Sequence, residues 1–264
     1  MDAFFGNVQQ APRSCMLGEL GEHTFKFPSF FYQSHSSAVA FTCPTGALRA
    51  LTEKAGLSPL VIAPGRGLLV ISFFQHEQVE DMRAYDEVVI SVPVHRRRAW
   101  LPPLIPLLAS TPMGSFGHLV LDMPVNSEVN RLRGNVLWNL PKSKAAIQID
   151  NAGSASSLRT QGDQLRLELD IDPAGRSQNL TTTSRVYGAL NGQATSFLNV
   201  TKGDFLKANV VLPFLPKPKG RFHWDAGPGH PLRKIDPSML SLFETRVSKN
   251  HQSILHLPKQ GVHA

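Results

Sequence analysis

The sequence predicts a mainly β protein with few, short helices, and three observations lead there. Its 264 residues include 20 Gly and 20 Pro spread along the whole chain, which divides it into many short segments. Several of those segments alternate apolar and polar residues with a period of two, the pattern of a half-buried strand. Helix-forming stretches are few, and none is long. So many short strands exceed what a two-layer α/β arrangement uses, and a closed antiparallel β-barrel with surrounding strands is the expected architecture. With no internal repeat and no low-complexity linker, residues 1–264 are expected to form a single domain.

Taken in order, Phe27–Thr42 is rich in aromatic, Ser and β-branched residues and reads as a strand or strand pair with an irregularity near Ser34–Ser37. Thr45–Ala55 holds good helix formers and stops at Gly56. Leu68–Phe74 is a nearly continuous apolar run closed by His76 and Glu77, as for a strand buried on both faces. In Glu87–Val94, Val88, Ile90, Val92 and Val94 alternate with Val89, Ser91 and Pro93, and Pro93 marks an edge or bulge. Leu101–Pro112, with four prolines, reads as a loop, either a lid, a subunit contact or plain surface. Phe116–Met123 is a strand, Pro124–Arg133 a short helix capped by Gly134, and Ala145–Ile149 a strand. Gln164–Ile171 is the clearest half-exposed strand of the chain. Further strands are expected at Thr182–Leu190, Thr195–Val200 and Phe205–Leu212, and a closing helix at Pro237–Phe243 with Asp236 as its N-cap.

Composition narrows the function classes. Residues 1–16 contain no continuous apolar core of an export signal, and no segment runs for about 18 uncharged apolar residues. Neither export nor membrane spanning is therefore expected, and the default location is cytoplasmic. Cys15 and Cys43 are too few for a disulfide framework and lack metal-ligand spacing. Without an export signal, the sequons at Asn179 and Asn199 read as chance. The net charge of +7 raises the question of an anionic partner. Arg96–Arg98 is the sharpest basic cluster, but no nucleic-acid module surrounds it, so a solvated strand end ranks ahead of nucleic-acid binding. His223-Trp224-Asp225 and Gly227–His230 form a dense turn whose spacing does not fit zinc, and no metal or cofactor is expected. Phosphate loops, serine-hydrolase elbows and zincin motifs are absent from the sequence.

The residue with the best claim to chemistry is Lys142. An ordinary lysine, with a pKa near 10.4, is protonated at neutral pH and attacks no carbonyl. Burial or a neighbouring cation lowers that value. Val136, Leu137, Trp138 and Leu140 supply apolar bulk before Lys142, Pro141 stiffens its approach, and Lys144 and Arg133 are the nearest cations in sequence. Taken without further context, these residues equally describe a surface lysine in a turn.

The segment Gly134–Lys142, with its glycine, its Pro-Lys end and the Ala/Ile strand that follows, resembles the active-site segment of the acetoacetate decarboxylase superfamily. Tyr85-Asp86-Glu87 with the strand to Val94 resembles that family's Tyr-x-Glu strand, and Phe116–Asp122 its next one. The resemblance runs loosely over Phe27–Ile149. It implies an acetoacetate-decarboxylase-like barrel, a homo-oligomer, and a lyase that acts on a small-molecule oxo acid. By this resemblance Lys142 is the Schiff-base nucleophile and Glu87 the pocket carboxylate that assists proton transfer. His118, Trp138 and Lys144 are the candidate substrate-binding residues around them.

Three departures from the family pattern point to another oxo acid or other chemistry on the same iminium. Asn135 and Val136 stand where the family has Arg and often Glu, and Ser143 replaces a second lysine. Leu68–Phe74 offers only Ser72 where a pocket glutamate is expected, and no carboxylate-binding Arg lies near Ser34. A barrel that binds an apolar or carboxylated ligand without turnover is the competing expectation, and decarboxylation competes with aldol condensation and dehydration.

Overall fold

The computed structural model describes residues 3–96, 116–151, 156–172, 175–192, 194–211 and 215–258. Among these residues, fifteen strands and two α-helices follow along the chain. The strands are β1 (Ala11–Met16), β2 (Glu22–Phe27), β3 (Ser29–Pro44), β4 (Leu57–Pro59), β5 (Val61–Ala63), β6 (Arg66–Val79), β7 (Tyr85–Arg96) and β8 (Phe116–Val125), then β9 (Lys142–Asp150), β10 (Ser156–Gly162), β11 (Leu165–Ile171), β12 (Arg176–Gly188), β13 (Thr195–Asn209), β14 (Gly220–Ala226) and β15 (Ser241–Leu255). Helix α1 is Thr45–Thr52 and α2 is Glu128–Trp138.

Strands β1 and β2 form a separate hairpin; the other 13 form one sheet. Its order is β14, β11, β10, β9, β8, β12, β13, β15, β3, β6, β7, β4, with β5 beside β6. Because β7 also pairs with β8, the path from β8 through β12, β13, β15, β3, β6 and β7 returns to its start. Among these pairings only β8 with β9 and β8 with β12 are parallel.

Period-two alternation gives the shared strands two different faces. One presents Val39 and Phe41 of β3, Leu69, Ile71 and Phe73 of β6, and Val88 and Ile90 of β7 to Leu158, Leu165, Leu167 and Leu169 of β10 and β11, forming the largest core. The opposite face, turned into the ring, bears smaller and more polar groups. There Ser36, Phe74 and Glu87 lie in one row across β3, β6 and β7, Ala38, Ser72 and Val89 in the next, and Ala40, Val70 and Ser91 in the third.

The strong patterns are borne out, and the differences have identifiable causes. The irregularity expected near Ser34 is a register break between Phe31 and Ser34 on β3. α1 tightens into a 3-10 turn before Gly56, whose φ of 70° is left-handed. The strand predicted to close at His76 continues to Val79, and its Val70, Ser72 and Phe74 are only half-buried, so one face rather than two packs in a core. Pro93 lies beyond the β6 pairing, which ends at Ser91, and the register break on β7 falls earlier, between Ile90 and Ser91. Phe205 belongs to the same strand as Thr195, with a bulge between Gly203 and Leu206.

Two of the three helix predictions need correction. The helix expected over Pro124–Arg133 starts after Ser127, whose hydroxyl accepts from the Asn130 N–H at 3.3 Å, and continues through Gly134 to Trp138. Asn139, with φ of 54°, makes the left-handed cap. Asp236 caps the Ser238 N–H at 2.9 Å as expected, but Pro237–Met239 is a single 3-10 turn. The residues that follow join β15, held by pairing with both β3 and β13. Leu101–Pro112, Arg97 and Arg98 lie outside the described residues. Cys15 and Cys43 are free thiols, and no helix among the described residues is long and apolar enough to cross a membrane.

Candidate active site

Lys142 opens β9 opposite Met123 of β8. Its backbone N–H donates to Asn135 Oδ1 at 3.1 Å and to the Leu140 carbonyl at 2.9 Å, and the Met123 N–H donates to the Pro141 carbonyl at 3.0 Å. Asn135 thus fixes the start of the strand. The lysine side chain runs back across α2 at Gly134, where a Cβ would lie 2.5 Å from Lys142 Cδ and 2.6 Å from Cε. The helix can pass this close only because position 134 has no side chain.

Lys142 Nζ donates to Glu87 Oε2 at 2.9 Å, and both residues are buried, at 8% and 7% exposure. Glu87 also accepts from Asn130 Nδ2 and from His76 Nε2, each at 3.4 Å. The Ser34 hydroxyl lies 2.8 Å from His76 Nδ1. A carboxylate only accepts, so His76 donates to Glu87 through Nε2. The Tyr85 ring centroid is 5.8 Å from Nζ.

Arg133, the last residue of α2 before Gly134, is the second cation of the site and is 1% exposed. Its guanidinium stacks over Phe25 at 4.6 Å, Trp138 at 5.1 Å and Phe27 at 5.3 Å, and Nη2 donates to the Ser29 hydroxyl. Arg133 Nε is buried with no hydrogen-bond partner among the described residues.

The electrostatics follow from burial and neighbours. Burial lowers the Lys142 pKa from its ordinary value; the Glu87 carboxylate opposes that and Arg133 adds to it, leaving the amine below a free lysine. Burial alone would raise Glu87, but Lys142 and His76 outweigh it and hold the carboxyl at about 2. Burial likewise brings Arg133 down to about 10 and pushes Tyr85 well up.

The other predicted site residues are placed differently. Trp138 packs against Phe27 and Phe197 and donates Nε1–H to the His256 carbonyl at 2.8 Å, so it supports Arg133 rather than facing Nζ. Lys144 is exposed, near Glu128 of α2, and Arg133 takes the place expected of it. His118 pairs with Pro93, five positions along β8 from Met123, and its Nδ1 lies 3.4 Å from Ser91 Oγ. Ser143 faces away from Lys142 and donates to Asp122 Oδ1 at 3.0 Å; Asp122 Oδ2 also binds His230 at 3.0 Å, so His230 of the Gly/His turn belongs to this pair. Sequence reasoning missed His76, Ser34 and Asn130. The available signal for His76 was its spacing, two residues past Phe74 and so on the same face of β6.

Burial leaves two histidines uncharged in the fold, with a testable consequence. His118 is lowered by burial and Arg246 to about 4, and His251 by burial, His76 and His35 to about 3. The unfolded chain binds these protons near 6.5, so stability is fully present above that pH and is lost as pH falls toward 4 and then 3. Melting temperature should decline through this window in the wild type, and more gently in a His118→Gln/His251→Gln variant.

Neither a family model nor a curated protein sequence matches the chain. Solved structures do. The chain is similar to an acetoacetate decarboxylase from Legionella pneumophila, with TM-score 0.62 and 10% identity over 89% of this chain and 88% of that one. It is similar to MppR, an enduracididine biosynthesis enzyme complexed with pyruvate, with TM-score 0.57 and 13% identity over 88% of each chain. An acetoacetate decarboxylase-like enzyme from Sphingomonas wittichii RW1 follows, with TM-score 0.52 and 14% identity over 87% of this chain and 91% of that one.

Proposed function

With the fold of acetoacetate decarboxylase and its relatives as the premise, we propose that this chain is a lyase that forms a Schiff base through Lys142 with an oxo acid. The observation that supports it most is the buried Lys142 Nζ, with Glu87 2.9 Å away and the Arg133 guanidinium nearby. Neutral Nζ, once its proton has left to solvent, adds to the ketone carbon, with Glu87 and the His76 that donates to it beside the forming carbinolamine. Loss of water from the carbinolamine gives an iminium, whose positive charge takes the place of the ammonium opposite Glu87. With a 3-oxo acid, the bond to the carboxyl carbon breaks, its electron pair moves to the iminium nitrogen, and carbon dioxide leaves; protonation at carbon and hydrolysis return the lysine. With a 2-oxo acid such as the pyruvate bound to MppR, loss of a proton from C3 gives an enamine that can add to an aldehyde. Arg133, whose Nε has no partner among the described residues, supplies the charge for the substrate carboxylate. We place the reaction in a homo-oligomer, as the family resemblance implies.

Borohydride reduction in the presence of a panel of 2-oxo and 3-oxo acids tests this reading. A mass adduct mapped to Lys142 is expected. A folded protein that gives no adduct with any acid would overturn it in favour of a barrel that binds without turnover. The role of Arg133 has its own signature. Arg133→Leu removes a cation that lowers the amine's pKa, so the pH at which trapping reaches half its maximal rate should move up. An unchanged midpoint would mean that burial alone sets the amine.

A further inference from the structure

The interior of the strand ring contains a second polar cluster, away from Lys142. His118 of β8 interacts electrostatically with Arg246 of β15. These strands are not neighbours in the ring: β12 and β13 separate them on one side, and β7, β6 and β3 on the other. Arg246 pairs with Ala38 on the interior face, so the two side chains face one another across the interior. Ser91 of β7 joins them, with Oγ 3.4 Å from His118 Nδ1. Arg246 Nη2 binds Glu244 Oε1 at 3.1 Å, and Lys207 Nζ binds Glu244 Oε2 at 3.1 Å, so the group of Arg246, Lys207 and Glu244 has an excess positive charge.

Three features make this cluster the far end of the same chamber. Glu87, which binds Lys142, and Ser91, which binds His118, are both on β7 four residues apart, so they share a face at roughly 13 Å separation. The rows between and beside them carry the small, half-buried Ser36, Ala38, Ala40, Ser72 and Val89 alongside Phe74 and Val70, whereas the opposite face of the same strands is closed by Phe41, Ile71 and Phe73. Beyond the cluster the interior ends on an apolar group of Leu60, Ile62, Leu68 and Phe243, with Ala40 and Phe116 packed against it.

Building on the Lys142 reading, we infer that the chamber takes an elongated oxo acid with a second carboxylate at its far end, the ketone at Lys142 and the distal carboxylate at Arg246 and His118. A short acid such as pyruvate would leave the far cluster unmet. Arg246 provides the charge, His118 and Ser91 are hydrogen-bonding partners, and the small side chains between them leave room for an unbranched methylene chain.

Binding without chemistry separates this inference from the imine. In titration calorimetry, linear saturated dicarboxylates from six to nine carbons have no ketone to react, so their binding does not depend on imine formation. The expected result is at least tenfold tighter binding of one of them than of the monocarboxylate of equal length, and loss of that preference in Arg246→Gln and, independently, in His118→Ala. Equal binding of the two acids by the wild type, or the same preference in both variants with melting temperatures near that of the wild type, would overturn it. If either variant does not fold, the other decides. Failure of borohydride trapping alongside a retained dicarboxylate preference would sink the imine while leaving this subsite in place.

Discussion

Lys142→Ala is expected to abolish borohydride adducts with every oxo acid that labels the wild type, and to lower stability well beyond the loss of one long side chain. Glu87 is the reason. Its carboxyl is held at about 2 by Lys142 and His76 against burial that pushes it upward. A depressed carboxyl adds stability that is present above its unfolded value of about 4.5 and lost as pH falls toward 2. Removing Lys142 withdraws the main partner and leaves a buried carboxylate with only His76 and Asn130. Breaking a buried pair from one side costs about 3–5 kcal/mol, which for a chain of this size is roughly 10 °C in melting temperature. The double variant Lys142→Ala/Glu87→Gln should recover much of this loss while remaining inert to trapping, because the unpaired charge has gone but the nucleophile is still missing. A Lys142→Ala protein as stable as the wild type at pH 7 would show that the ion pair is not buried as described. A surviving adduct would move the nucleophile to another lysine.

How much of this was legible in the sequence depends on how local each feature is. Lys142 and Glu87 could be found because each lies in a short segment whose order is informative, Pro-Lys before an Ala/Ile strand and Tyr-x-Glu at the start of a β-rich one. The strand over Gln164–Ile171 was visible because its alternation is clean, and the observed strand starts one residue later. His76 and Ser34 were not legible as site residues. They meet Glu87 only through three-strand register, and the shift between Phe31 and Ser34 on β3 is what brings Ser34 against His76. Arg133 is visible in the sequence as a nearby cation but not as a buried one, because Gly134 beside it reads as a helix stop. The continuation of α2 to Trp138 puts the guanidinium between Trp138 and the Phe25–Phe27 strand. Pro237 carries a genuine helix-start signal, but only one 3-10 turn forms, since pairing of Ser241–Leu255 with two long strands overrides the local preference.

Gly134 leads to the second large effect, and it separates helix stability from site geometry. Glycine is the residue most expected at a helix end, but here Asn139 fills that role and Gly134 sits inside α2. In an exposed helix, Gly→Ala gains about 1 kcal/mol, so Gly134→Ala should leave α2 at least as well formed. The added methyl, however, would fall 2.5 Å from Lys142 Cδ, 2.6 Å from Cε and 3.1 Å from Cγ. Either the helix moves or the lysine does, and the lysine is the more flexible of the two. Its displacement carries Nζ away from Glu87 Oε2, to which it now donates at 2.9 Å. Trapping should therefore slow by at least tenfold in Gly134→Ala, and the melting temperature should fall by no more than it does in Lys142→Ala, because the same buried pair is loosened. Gly46 of α1 is the matched control, since it is exposed and a Cβ there would meet nothing within 4 Å: Gly46→Ala should leave trapping unchanged. If Gly134→Ala reacts like the wild type, the lysine has room to reroute, and the close pass over α2 does not set the position of the amine. If it loses trapping and is clearly less stable than Lys142→Ala, the helix has moved instead, and α2 rather than the lysine is the yielding element.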